Sequence, residues 1–256
     1  MMPILDRILT DKRARLDRGD YATVATARAA ETDGVRFLAS LREPGVRVIA
    51  EIKRRSPSAG EILPRADGRI ESLALAYRRG HAAAISVVTE EDHFGGKPEW
   101  LPRAKRVSGL PVLMKDFVIS ERQLDFAVSL GADAVLLIVR ALTGGELVRL
   151  SKGARERGLA TVVEIHEAGE IEAAMAGRPD VLGVNARDLA TFATDLNVSE
   201  RIAVMIPPGP VRLAESGISN RTDVARLKAA GYDAFLVGEA LLRDVNPEQA
   251  LRELKG

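Results

Sequence analysis

The chain has no cysteine, almost no net charge and no apolar run long enough to cross a bilayer. Without thiols there are no disulfides, thiolate metal sites or cysteine nucleophiles. Thirty-seven basic residues stand against thirty-six acidic ones, a net charge of +1. The two signs are interspersed, which argues against a groove for nucleic acid or a membrane-attracting patch. The first residues, Met1-Met2-Pro3-Ile4-Leu5-Asp6-Arg7, bring an acid early and hold no signal-peptide apolar core, so a cytoplasmic protein is the expectation. What the chain does have is apolar material: 46% of 256 residues can fill one β/α barrel or two ordinary domains.

Short apolar, β-rich runs recur every twenty to thirty-five residues or so, the rhythm of strands each followed by a helix. Eight are predicted: Val46 to Lys53, Ala83 to Thr89, Pro111 to Phe117, Ala134 to Val139, Ala160 to His166, Val181 to Asn185, Val211 to Glu215 and Ala234 to Val237. Several are nearly unbroken, as parallel strands covered on both faces should be. Gly80, Gly131 and Gly231 each precede a strand and are expected to end a helix at positive φ. Ser120 with Gln123, Thr143 with Glu146, and Asn246 with Pro247 and Gln249 read as capped helix starts. Before the first strand, Leu5, Ile8, Leu9, Val35, Phe37, Leu38 and Leu41 keep helical spacing. The fold class is α/β: one (β/α)8 TIM barrel over residues 1–256, with residues 1–45 an N-terminal helical extension closing one end.

The strand ends carry charge that a buried barrel interior would not tolerate without a use. Glu51 and Lys53 lie two apart on one strand and so share a face. Lys115 and Phe117, Glu164 and His166, Asn185 and Arg187, and Glu215 close the third, fifth, sixth and seventh strands. Barrels place their chemistry at these C-terminal ends; a structural ion-pair network is the alternative. Ser216-Gly217 after strand seven and Gly238-Glu239 after strand eight stand where barrels bind phosphate through backbone N–H groups. His81 and His93 read as solvated, His166 as either a helper of Glu164 or a bystander, and Trp100 as packing.

Several segments resemble the indole-3-glycerol-phosphate synthase family across essentially the whole length. They are Ala50-Glu51-Ile52-Lys53-Arg54-Arg55-Ser56-Pro57-Ser58, Phe94-Gly95-Gly96, Pro111 to Phe117, Gly131 to Ile138, Val163-Glu164, Asn185-Ala186-Arg187-Asp188-Leu189, Ala214 to Gly217 and Val237-Gly238-Glu239. The resemblance implies ring closure of 1-(2-carboxyphenylamino)-1-deoxyribulose 5-phosphate to indole-3-glycerol phosphate, with loss of carbon dioxide and water, and with no metal or organic cofactor, since the cationic intermediate of that ring closure is itself the electron sink. The departures are Lys97 for a common Ser, Ala186 for a frequent Asn, and Ser120-Glu121 for a frequent Asp-Pro.

On that resemblance Lys115 is the general acid, while Lys53, held by Glu51, engages the substrate carboxylate and steers a second proton transfer. Glu51 then helps dehydration, and Glu164 removes a ring proton. Asn185 and Glu215 orient the reacting groups. Ser56 and Arg187 bind polar parts of the substrate; Pro57, Phe94, Phe117 and Leu136 form a slot for its ring. Ser216, Gly217, Gly238 and Glu239 bind phosphate, the last through its amide. The implied partner is a phosphorylated small molecule and the implied state a monomer or weak homo-oligomer. Three other readings suit the same residues: a Schiff-base aldolase using Lys115 or Lys53, a non-catalytic binder of phosphorylated metabolites, and a sugar-phosphate isomerase.

Overall fold

The computed structural model describes residues 3–22, 31–188 and 193–256. Met1, Met2 and Leu189 of the segments above lie outside the described residues. All eight expected runs become strands of one closed parallel barrel: β1 (Arg47–Ile52), β2 (Ala84–Val88), β3 (Val112–Lys115), β4 (Ala134–Ile138), β5 (Ala160–Ile165), β6 (Val181–Asn185), β7 (Val211–Glu215) and β8 (Ala234–Val237). Each pairs with its neighbours in the chain, and β8 closes on β1 with Arg47 opposite Ala234. The helices are α1 (Ile4–Arg18), α2 (Gly34–Arg42), α3 (Ile70–Arg79), α4 (Trp100–Ser108), α5 (Glu121–Leu130), α6 (Gly144–Glu156), α7 (Ile171–Ala176), α8 (Leu196–Ala203), α9 (Arg221–Ala229), α10 (Glu239–Arg243) and α11 (Pro247–Lys255).

The pleat explains the unbroken apolar runs. Ile49, Leu113, Leu136, Val162, Leu213 and Leu236 point inward and fill the barrel, while alternate residues such as Val48, Ile52, Val163 and Val184 pack outward on the helices. Ser120–Gln123 and Thr143–Glu146 form complete capping boxes at α5 and α6. At α11, Asn246 accepts from Gln249 N, but the Gln249 amide turns to Glu253 at 2.9 Å and leaves that box half made. Gly131 and Gly231 have φ of 79° and 104° as expected. At the first joint the left-handed residue is His81, φ 60°, not Gly80. Gly80 serves close packing instead, because a Cβ there would come within 2.9 Å of Leu251 on α11.

The N-terminal extension closes both ends of the barrel rather than one. Phe37 and Leu41 of α2 enter the inner core at the amino ends of the strands, among Ala83, Ala134, Ala160 and Ala234. Val35, expected on that face, is instead 80% exposed. Ile4, Leu5 and Ile8 of α1 line the cavity at the carboxyl ends, beside Lys115 and Glu164. Lys12, on the same stripe, is fully buried and pairs with Asp116 at 2.7 Å, Glu90 at 3.5 Å and the Tyr21 hydroxyl at 3.0 Å. Asp11 reaches the His93 ring at 2.8 Å, and Arg15 pairs with Glu91. Thus His93 fastens α1 to the loop after β2 and is not a free solvated side chain.

Candidate active site

The carboxyl ends of β1, β3, β5 and β7 bring the expected charges together. Glu51 accepts from Lys53 Nζ at 2.7 Å and lies 3.4 Å from the Ser86 hydroxyl. Across the barrel, Lys115 Nζ donates to Glu215 Oε2 and lies 3.4 Å from Glu164 Oε2. The side chains of Glu51, Glu164 and Glu215 are 3%, 4% and 1% exposed, while the two lysines keep 17–18%. Such burial disfavours every one of these charges, so each ion depends on its partner. Burial alone would lower the Lys115 ammonium; Glu215, Glu164 and Glu51 overcome it and hold the group above its ordinary range. Burial would raise Glu51 and Glu164, but Lys53 and Lys115 pull Glu51 down, and Lys115, His166 and Asn185 pull Glu164 down. Glu215 goes the other way: burial, reinforced by negative Glu164 and Glu51, pushes it up to about 7 against the pull of Lys115.

Two glycines make this crowding possible. A Cβ on Gly183 of β6 would collide with Glu215 Oε1, and one on Gly238 would stand 2.9 Å from Glu51 Oε1. The Gly238 position is therefore demanded by Glu51, in addition to any approach of phosphate. Ser216 and Gly217 have φ of 67° and 76°, and a left-handed serine stores of order 1 kcal/mol or more of strain, as residues at ligand-binding turns often do. Ser216 lines the cavity. The Glu239 carboxylate turns to Arg243 at 2.9 Å, leaving only its amide for a ligand.

Around the charges lies an apolar slot. Phe94 and Phe117 face each other with ring centroids 6.0 Å apart. Pro57, Leu136 and Ile138 line it with the three α1 residues, and Ser56, Ser58, Asn185 and Arg187 line its rim. Arg187 Nη1 donates to Ser58 Oγ at 3.0 Å, joining the loops after β1 and β6 across the opening. The turn that presents Phe94 is held by Glu90, whose Oε2 accepts from His93 N at 2.7 Å and Phe94 N at 2.9 Å. Strand β3 stops at Lys115 because Asp116 accepts from the next amide, Phe117 N, at 2.7 Å and from Thr89 Oγ1 at 2.9 Å.

The family model for indole-3-glycerol phosphate synthase matches residues 5–254. The indole-3-glycerol phosphate synthases of Nocardioides sp. and Koribacter versatilis are 43% and 44% identical to this chain, and in each alignment all of this chain and at least 99% of the relative are covered. The chain belongs to the indole-3-glycerol phosphate synthase family. It is a lyase that closes a ring with decarboxylation, a step of tryptophan biosynthesis. Among solved structures, orotidine 5'-phosphate decarboxylase from Pyrococcus horikoshii superposes with a TM-score of 0.62 at 16% identity, covering 82% of this chain and 99% of that one. That likeness shows the barrel alone. Within the synthase family this chain's Lys97 is a surface residue: it pairs with Asp67 at 2.8 Å, beside Trp100, whose indole donates to the same carboxylate at 2.7 Å. Trp100 is wholly buried, as packing requires.

Sequence reasoning missed Ile4, Leu5, Ile8, Ser58 and Ile138 as cavity walls, and Lys12, Glu90 and Asp116 as their supports. One signal was present. Lys12 stands four residues after Ile8 and three after Leu9, a charge on an apolar helical stripe, which calls for a buried partner.

Proposed function

We propose that Lys115 is the general acid of the ring closure and Glu164 its general base, and the buried ammonium set among three carboxylates carries this reading. An amine kept protonated carries a proton to give and has no lone pair with which to attack a carbonyl, which favours acid catalysis over a Schiff-base aldolase. The aryl carbon bearing the carboxylate attacks the ketone carbon, and the oxygen takes a proton from Lys115 as alkoxide charge develops. Loss of carbon dioxide returns its bonding pair to the ring, so rearomatisation removes no ring proton. The proton that must leave is on the methylene between the nitrogen and the former ketone carbon. It departs as the new hydroxyl collects a second proton and leaves as water, and its C–H pair becomes the new double bond. Glu164, rather than removing a ring proton, takes this one. Lys53, held by Glu51, supplies the proton to the departing water.

In this reading the aryl ring enters the slot of Phe94, Phe117, Pro57 and Leu136, and its carboxylate meets Lys53, with Ser56 and Arg187 at the rim. The amides of Ser216, Gly217, Gly238 and Glu239 hold the phosphate, and Asn185 and Glu215 fix Glu164 and Lys115. Every residue comes from one chain, which suits a monomer. A phosphorylated substrate does not cross membranes unaided and suits the cytoplasm. Among the described residues no helix is long and apolar enough to cross a membrane.

The test is incubation with 1-(2-carboxyphenylamino)-1-deoxyribulose 5-phosphate, following indole fluorescence and released carbon dioxide together, for the wild type and for Glu164→Gln. The variant should lose kcat by a hundredfold or more with KM nearly kept, roughly the share of a general base. Normal kcat in the variant would make Glu164 structural, and a borohydride-trapped lysine adduct would restore the aldolase reading.

A further inference from the structure

His166 follows the last residue of β5 and faces the same way as Glu164. It is 7% exposed, and neither ring nitrogen has a hydrogen-bond partner among the described residues. Its Nε2 stands 3.4 Å from Glu164 Oε1, within ion-pair reach but not aligned as a hydrogen bond. The residue's backbone is fixed independently, since His166 N donates to Glu170 Oε2 at 2.6 Å and Glu170 is gripped by Arg140. A buried ring with two idle nitrogens is a poor choice for packing, where an apolar side chain would leave nothing unsatisfied.

We propose that His166 is a positioning residue for Glu164, donating Nε2–H to Oε1 once the substrate is bound. The geometry gives it that task. Glu164 meets Lys115 through Oε2 and His166 through Oε1, and Asn185 supplies a further hydrogen bond. Lys115 is shared with Glu215 and lies within the field of Glu51. When Lys115 gives its proton to the ketone oxygen it becomes a neutral amine, and Glu164 loses its cation before it has acted as a base. His166 then holds the carboxylate, fixing which oxygen faces the methylene proton. This inference rests on the proposed role of Glu164.

Three substitutions separate the task from mere shape. His166→Gln keeps an N–H near the Nε2 position, His166→Asn keeps one only near Nδ1, and His166→Leu keeps none. With the same ribulose phosphate substrate, the Leu and Asn variants should lose kcat by ten- to a hundredfold, of the order seen when a supporting partner is removed, with KM within about twofold. The Gln variant should recover most of it. Deuterium in the methylene next to the nitrogen should slow the Leu variant more than the wild type, because proton removal becomes more fully rate-limiting. Thermal midpoints identify folded variants; should Leu fail to fold, the Gln and Asn pair still decides. Wild-type kcat in His166→Leu, or equal loss in folded Gln and Asn variants, would overturn the proposal while leaving the ring-closing activity intact. A wild type that made no indole-3-glycerol phosphate would instead sink the activity itself.

Discussion

Lys105, buried, and Lys115, half-buried, both contact carboxylates at opposite ends of the same barrel, and they are solvated by protein in different ways. Lys105, near the amino ends of the strands, donates to the carbonyls of Glu31 and Gly131 at 2.9 and 2.8 Å and to Asp133 Oδ1 at 2.8 Å. That uses all three of its protons. Asp133 also accepts from Asp33 N and Val112 N, each at 2.8 Å. Lys115 has one close bond, to Glu215, and one loose contact at 3.4 Å, to Glu164. Near it Glu215 Oε1 and both nitrogens of His166 have no hydrogen-bond partner among the described residues. A saturated ion pair holds a structure together; an unsaturated one has bonding capacity left for a substrate.

Exchanging charge for bulk at the two sites should break the comparison most sharply. Lys115→Ala is expected to cut kcat by roughly a thousandfold or more, the combined share of a general acid and an electrostatic donor, with a more modest fall in thermal midpoint, because Glu215, already pushed up to about 7, takes up a proton when its cation is gone. Lys105→Met should do the reverse. It strands Asp133 and should lower stability by about 3–5 kcal/mol in denaturant titration, with kcat of the folded fraction nearly unchanged. A Lys115→Ala enzyme keeping a tenth of wild-type kcat, or a Lys105→Met protein as stable as wild type, would erase the distinction.

Glu215 sharpens it further. Its carboxyl is raised from 4.5 to about 7 in the fold, so across that window the folded state holds a proton that the unfolded state has released. The stability this contributes is fully present below about 4.5 and lost as pH rises through about 7. Glu51 and Glu164, shifted downward, act with the opposite sign at lower pH and are common to both proteins compared. The thermal midpoint of wild type relative to Glu215→Gln should therefore fall between pH 5 and pH 8. A difference independent of pH in that range would show that Glu215 is ionised throughout. The smallest effect belongs to Lys97→Ser: a solvent-exposed pair with Asp67 adds little to stability, and the side chain is not among the cavity walls. Activity should stay within about twofold, and a larger loss would bring the loop after β2 into the substrate site.

Strands and charges were legible because each leaves a local mark. Unbroken apolar runs such as Ala134 to Val139 announce strands covered on both faces, and Glu51, Lys115, Glu164 and Glu215 are conspicuous at apolar strand ends. What stayed hidden depends on which distant segment fills a space. Nothing near Gly183 in the sequence says that the Glu215 carboxylate occupies its missing Cβ, and nothing near Gly80 says that Leu251 presses on it. Helical spacing announced α1 and α2 but not the faces they cover, since one apolar stripe fits either end of a barrel. The resemblance reached the reacting groups by their motifs, whereas Lys12, Glu90 and Asp116 support the site through contacts between separate elements.

The extension that caps the barrel at both ends also bears on the order of assembly. Phe37 and Leu41 settle among Ala160, Val181, Val211 and Ala234, strands made long after α2 leaves the ribosome. Helix α2 has no complete seat until the last strand closes the ring, so its contacts span most of the chain and weigh toward slow folding. Closure of the barrel and completion of the substrate slot become one late event. A half-made chain holds the chemical groups of β1 and β3 and several walls of the slot, but it lacks Glu164, Asn185 and Glu215, and it gains the power to react only when the later strands bring them in.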